Sequence, residues 1–544
     1  MNIQLPPGYA AGRKAHVGLW VALSLLLFVL AGCSPDPQDS STSAAQPQSS
    51  PETSADHIAW FEGNVDAAFR AAKESGKPIF LYWGAEWCPP CHELKATIFK
   101  RPEFIRQSRL FVPVYLDGDT ERAQQYGERF GVMGYPTVII FSPDGAEITR
   151  IPGGMDIQQY VGVMDLALDS LHPVSGLVDA LNRGEPLSRE DWRLLAFYSW
   201  GQDRGRALGE RSLAEVSLQM AEACPAEFSL EKSLLQMLAV ESWAGEEGRD
   251  PAQRERFRGW VLAVLGDDAL SRANLNTFAW SSEKLVVALS ESDQEQEAIG
   301  GAIYAALDRV LSDSEVNVLT RLNALYGEAD VLQTLSPGLP AEQKSALVAK
   351  GAALRAELGA YQQHAGLYSL AETYHLIHAD AETRATLDAG MAVSKQPYYF
   401  MVVLADIERD EGNTEQALNW YRKAWEAARG PATRVQWGTI YLLALIDLAA
   451  DDLAGIEATG DAILGEMTVQ ADALHQRNTR RMERINTALQ EWVAQPGGDS
   501  GDSAGRAQVL AHFQARLQGV CEQQSERPPL CDSLAGAAGE PAAT

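Results

Sequence analysis

The sequence predicts an α/β domain, a central mixed sheet flanked by helices, followed by a large all-α helical-repeat domain. Three observations carry this reading. Strand-like and helix-like runs alternate over residues 56–172 around Trp87-Cys88-Pro89-Pro90-Cys91. From 173 to 496 strand signals almost vanish, and apolar residues recur at three- and four-residue spacing. Within that second region, residues 398–429 read as two helices joined by a short turn.

The elements follow in order. Arg13 and Lys14 precede an apolar run, Val17 to Leu30, which is too short and wrongly flanked for a stable membrane span. It ends Leu30-Ala31-Gly32-Cys33, which resembles the lipobox of bacterial lipoproteins. That resemblance implies a signal peptide over 1–33, lipidation of Cys33 and, with Ser34 following, an outer-membrane address facing the periplasm. Residues 34–55 are rich in Ser, Pro, Gln, Thr and Ala and cannot bury enough surface to fold. As a disordered tether they span about 25 Å on average.

A helix over Trp60 to Lys77 is expected, with Ala67, Ala68, Ala71 and Ala72 in it and Gly76-Lys77-Pro78 ending it. Strands are expected at Lys77 to Tyr82, Phe111 to Leu116, Val138 to Phe141 and Glu147 to Ile151, with a turn at Pro143-Asp144-Gly145 between the last two. Cys88 and Cys91 open a helix after the first strand. A helix start offers unpaired N–H groups and a positive dipole end, and both stabilise a thiolate. Cys88 is therefore the candidate nucleophile, and Cys91, one turn on, the thiol that resolves a mixed disulfide. Zinc sites share the Cys-x-x-Cys spacing, but a structural site needs four ligands and there is no second pair; His92 does not complete one. No metal and no cofactor are called for. Metal delivery through the dithiol is a third reading, which predicts stoichiometric copper or zinc binding.

Trp87-Cys88-Pro89-Pro90-Cys91 followed by Gly134-Tyr135-Pro136-Thr137 resembles the thioredoxin superfamily, over roughly residues 56–172. The Ala-rich helix before the first strand is similar to the periplasmic thioredoxin-like subgroup, which includes the C-terminal domain of bacterial thiol:disulfide interchange reductases. The resemblance implies that Pro136 is a cis-proline facing the disulfide. It also implies that Trp87, Tyr135, Pro136 and Thr137 dock the substrate, and that Gly153-Gly154 follows the last strand. One departure stands out. Thioredoxins carry a buried acid six positions before the first cysteine, where this chain has Tyr82. Glu86 is expected to be more exposed, and the simplest role for Tyr82 is packing.

In the helical region, Ala207 to Ala223, Leu230 to Trp243 and Arg254 to Leu265 read as helices. Tyr398 to Arg409 and Thr414 to Ala428 form the clearest unit. Its Gly412, Ala417, Tyr421 and Ala424 resemble the tetratricopeptide repeat, although Met401 and Glu408 stand where tryptophan and tyrosine are expected. Tyr361 to His378, Ala381 to Met391 and Trp437 to Ala450 suit divergent copies. Residues 497–544 read as a flexible segment with a short helix, in which Cys521 and Cys531 flank Arg527-Pro528-Pro529 and pair as a structural disulfide. Cys224 reads as an inert, half-buried thiol. Glu372, His375 and His378 supply only half of a dimetal motif and read as packing residues. Arg477, Arg480, Arg481 and Arg484 read as a solvated helix face among nearby acids.

The net charge of −28 excludes nucleic acid and anionic membrane surfaces as natural partners; removal of residues 1–32, with two cations and no acid, leaves −30. The functional expectation is a reductase or isomerase of protein disulfides in the cell envelope. Its partners are disulfide-containing envelope proteins, an inner-membrane electron donor, and proteins bound on the helical surface. The alternative is a scaffold lipoprotein whose repeats bind envelope proteins, with the α/β domain as a docking module.

Overall fold

A computed structural model describes residues 57–537, apart from 86–90, 92–93, 96–97, 119, 133–134, 152–156, 170–171, 204, 247–248, 361, 469–472, 475, 496–499 and 525–527. The readings for the leader, Cys33 and the tether lie outside the described residues, as do those for Trp87, Cys88, Glu86, Gly134 and Gly153-Gly154.

Helix α1, Val65–Ser75, starts where the Asn64 side chain accepts from the Ala67 N–H at 2.7 Å and ends at Gly76 in the left-handed region. Its buried face is Val65, Ala68 and Ala72, small enough to bring the helix close to the sheet. Strand β1, Ile79–Gly84, is buried along its whole length because it is central. It runs parallel to β2, Val112–Asp117, and antiparallel to β3, Thr137–Phe141. Strand β4, Glu147–Ile151, pairs antiparallel with β3 and completes the order β2-β1-β3-β4. Side chains of β1 alternate between two cores. Ile79, Leu81 and Trp83 share one with α1, while Phe80 and Tyr82 share the other with Cys91. Helices α2 (Pro102–Ser108), α3 (Glu121–Phe130) and α4 (Ile157–Asp169) complete the domain.

The second region packs directly against the first. Leu166 of α4 packs with Val174, Leu177 and Trp192, and Phe197, Leu230 and Leu234 pack into the core that holds Cys91. From there helices stack successively to Ala537, each cluster sharing an element with the next, as in a quasi-one-dimensional array. Helix Arg254–Leu265 has the expected bounds; Leu213–Ala223 starts later than expected, at a capping box formed by Ser212 and Glu215. In the repeat-like unit, Tyr398–Asp410 and Thr414–Ala427 pack through buried Ala417, Tyr421 and Ala424, with Gly412 at φ 80° making the turn. Tyr421 donates to Asp406, and Arg409 donates to Tyr421 at 3.2 Å.

Two expectations are corrected here. Residues 500–521 are not flexible. They form a 22-residue helix whose Val509, Phe513, Leu517 and Val520 enter a core with Ile463 and Trp492. Four apolar residues at helical spacing were hidden in a Gly-, Gln- and Ser-rich composition. Cys521 and Cys531 are bonded, joining this helix to Pro529–Ala537. In addition, the stretch Tyr361 to His378, expected as one helix of a repeat copy, forms a helix only over Gln363–Leu376, so His378 falls outside the helix that holds Glu372 and His375. The helix ends at Leu376, and His378 adopts φ 53° beyond it.

Glu372 faces a different partner. Burial, and then the nearby Asp406 carboxylate, push its pKa up to about 7. Its folded value lies above the unfolded one near 4.3, so this group lowers stability progressively as pH rises from about 4.3 to about 7. Glu372→Gln is expected to flatten that fall and to raise stability at pH 8 by about 1–3 kcal/mol. Denaturant unfolding at pH 5 and pH 8 checks it; an unchanged difference between the two pH values counts against the buried-carboxylate account.

Candidate active site

Cys91 sits in helical backbone after β1, fully buried, and is held in a disulfide. Its core companions include Tyr82, Leu94, Val138 and Tyr160. A sulfur so enclosed can be reached only through its bonded partner, which suits a resolving thiol.

The residue at the usual acid position is buried among aromatic side chains. The Tyr82 hydroxyl is buried without a hydrogen-bond partner. Burial foremost, and then Tyr115 and Asp117, push its pKa far above the usual tyrosine range. Its ring stacks on Tyr115 at 5.4 Å and meets Phe99 edge-on at 4.8 Å. Tyr82→Phe removes only the orphaned hydroxyl, and is expected to leave dithiol reactivity unchanged and to stabilise the fold by about 1 kcal/mol. A fall in thiol reactivity would give the hydroxyl a chemical role. Among the described residues, a carboxylate that acts on Tyr82 is Asp117, at the end of β2 and paired in register with Gly84. Its relevance becomes visible only once β1 and β2 are aligned.

The Tyr135–Pro136 bond is cis, and Pro136 and Thr137 are buried at the start of β3. Tyr135 donates to the Gly118 carbonyl at 3.1 Å. A side chain at Gly118 would collide with that ring, the nearest atom lying 2.2 Å from an added Cβ. The helical region reaches this loop from two places far apart in sequence. Gln202 donates to the Pro136 carbonyl at 3.2 Å, and the Arg477 guanidinium lies 5.7 Å from the Tyr135 ring centre.

Beside this loop is a buried ionic junction. Arg150 of β4 is fully buried. Its guanidinium donates to Glu147 at 2.9 and 3.0 Å, to the Phe130 carbonyl at 2.7 Å and to the Gly131 carbonyl at 3.3 Å. Burial alone would lower its pKa, and the Glu147 carboxylate, with Tyr198 and Asp203, more than offsets this, so the net direction is upward. Tyr198 and Arg206 of the helical region also meet Glu147, at 3.3 and 3.7 Å. The Ser199 N–H donates to the Arg150 carbonyl at 2.9 Å, covering the open edge of β4.

The structure thus brings Cys91 and Tyr82 into one core, and Pro136 and Thr137 to the start of β3. Asp117, Gln202, Arg206 and Arg477 were missed by sequence reasoning. Only the last carried a signal, as part of the arginine run. Cys224 is buried and free, and burial pushes its thiol up to about 11, which makes it inert at neutral pH. Among the described residues there is no group of three or more His, Cys, Asp or Glu placed to hold a metal ion, and no helix long and apolar enough to cross a membrane.

A family model described as a thioredoxin-like domain matches residues 65–168. A thioredoxin H-type of Oryza sativa subsp. indica is 33% identical over 99 residues, 18% of this chain and 75% of that protein. A thiol:disulfide interchange protein DsbD of Yersinia pestis (strain Pestoides F) is 32% identical over 94 residues, 16% of each chain. Among solved structures, a DsbH oxidoreductase aligns at 20% identity over 23% of this chain and 95% of that one, with a TM-score of 0.20. This chain spans about a sixth of the length of the DsbD relatives it matches. With the four-stranded mixed sheet and its flanking helices, the family-model match and the thioredoxin H-type relative show that the chain belongs to the thioredoxin superfamily, a family of thiol–disulfide oxidoreductases, through a domain that an all-helical region follows.

Proposed function

We propose that the protein is a thiol–disulfide oxidoreductase of the bacterial cell envelope that reduces or isomerises disulfides in other proteins through Cys88 and Cys91. The observation that carries the reading is Cys91, buried and disulfide-bonded in helical backbone after β1, in a domain of this family. In the reduced protein, the Cys88 thiolate attacks one sulfur of a client disulfide. A Cys88–client bond forms, the client S–S bond breaks, and the departing sulfur takes a proton. Cys91 then gives up its proton and attacks the Cys88 sulfur. The Cys88–Cys91 disulfide forms, and the client leaves as a dithiol carrying two electrons. A dithiol donor of the envelope restores the reduced state. Cys33 carries the lipid anchor, and the helical region binds protein clients.

The test uses the full chain, chemically reduced, mixed with a peptide containing one disulfide. One equivalent of peptide is expected to be reduced as Cys88 and Cys91 become oxidised, read by mass after acid quenching. Persistence of free Cys88 and Cys91 beside an intact peptide disulfide would leave the scaffold reading in its place. Mass analysis of the membrane-extracted protein checks the anchor, which is expected as diacylglycerol on an N-terminal Cys33.

A further inference from the structure

The arginine run on the helix Gln476–Ala494 is the least explained feature of the molecule. Arg477, Arg480, Arg481 and Arg484 fall on one face by helical spacing, while Met482, Ile485, Leu489 and Trp492 of the other face are buried in the C-terminal core. Like charges three and four residues apart each cost a helix a few tenths of a kcal/mol. Nearby acids were expected to relieve this. For Arg481 they do not. Its Nε is buried without a hydrogen-bond partner, and among the described residues the groups that act on it are Arg477, Arg484, Arg480 and the Tyr399 hydroxyl, none of them a carboxylate. Burial foremost, and then those three guanidinium groups, lower its pKa to about 9. On the neighbouring helices Glu466 is already bound to Arg434 at 2.5 Å. Residues 477–484 thus carry four arginines and one acid, Glu483, in a chain of net charge −28.

The location matters as much as the charge. Arg477, on the first turn of this helix, donates to Gln436 and lies over Tyr135, the residue before Pro136. The first arginine of the stripe thus lies at the loop that carries the proposed substrate-docking residues, and Arg481 lies near Tyr399.

Resting on the oxidoreductase reading above, we infer that this stripe is the recognition surface for an acidic polypeptide segment of the client, holding it beside the dithiol. Guanidinium forks bind carboxylates through two parallel hydrogen bonds, and an incoming Asp or Glu would supply Arg481 with the acceptor it lacks. Complementary charge would also speed encounter with clients that the rest of this acidic surface repels.

The experiment measures fluorescence anisotropy of three labelled, cysteine-free decapeptides, rich in Glu, in Lys or in Ser, against the full chain. Tighter binding of the Glu peptide, by about tenfold over the Ser peptide at low salt and less at high salt, is expected. Arg481→Gln is expected to lose most of that preference and Arg481→Lys to keep part of it. The exposed Arg484→Gln tests the same stripe should Arg481→Gln fail to fold. The Glu peptide is also expected to slow alkylation of Cys88 in the reduced protein. Equal affinity for the Glu and Ser peptides, a preference unchanged in the Arg484→Gln and folded Arg481 variants, or alkylation indifferent to the peptide would each overturn the inference. No arm requires disulfide turnover, so failure of the redox assay and failure of anion recognition are separate results.

Discussion

Cys91→Ser is expected to accumulate disulfide-linked complexes with client proteins and to lose at least about a hundredfold in turnover of a peptide disulfide. The reason is positional. Once Cys88 has bonded to a client, release needs a second sulfur one helical turn away, and a hydroxyl is not a comparable nucleophile. The buried setting of Cys91 shields it from direct capture of clients, so Cys88→Ser is expected to abolish both turnover and complexes. Non-reducing electrophoresis of envelope extracts reads the complexes, and thiol release reads the turnover. Complexes equally abundant in wild type and Cys91→Ser would show that Cys91 does not resolve them.

Arg150→Met is expected to destabilise the junction between the sheet and the first helices by about 3 kcal/mol. The substitution leaves Glu147 without its two charge-assisted bonds and strips a donor from the Phe130 and Gly131 carbonyls. Glu147 retains Tyr198 and Arg206, which keeps the loss below that of an isolated buried charge. Chemical denaturation followed by tryptophan fluorescence measures it. Adding Glu147→Leu to Arg150→Met is expected to recover part of the loss, because the carboxylate left behind causes much of it. A single-variant effect under about 1 kcal/mol would mean that apolar packing of Phe197, Leu230 and Leu234 holds the junction by itself.

The junction changes what the helical region does for the site. Its early part, through Gln202 and Ser199, fixes the Pro136 carbonyl and covers the β4 edge, while its late part returns to Tyr135 through Arg477. The helical array therefore frames the same loop from both ends of its sequence. A client docked on the arginine stripe would lie next to the loop that the family uses to hold substrate.

What the sequence by itself determined is local. Glu147–Ile151 and Arg254–Leu265 have the expected bounds, and Thr414–Ala427 differs by one residue, because period-two and period-3.6 patterns with their caps are written in adjacent residues. The Cys-x-x-Cys spacing is equally compact, and its second member, Cys91, is found disulfide-bonded. The tertiary structure decided the rest. It buried Tyr82 as packing and placed Asp117 beside it through strand register. It built the Arg150–Glu147 junction and carried Arg477 across more than three hundred residues to Tyr135. It also turned the C-terminal segment into a packed helix pinned by Cys521–Cys531. Each of these depends on groups distant in sequence sharing a low-dielectric space, where partnership rather than residue type sets the energy, and that information exists only once the chain has folded.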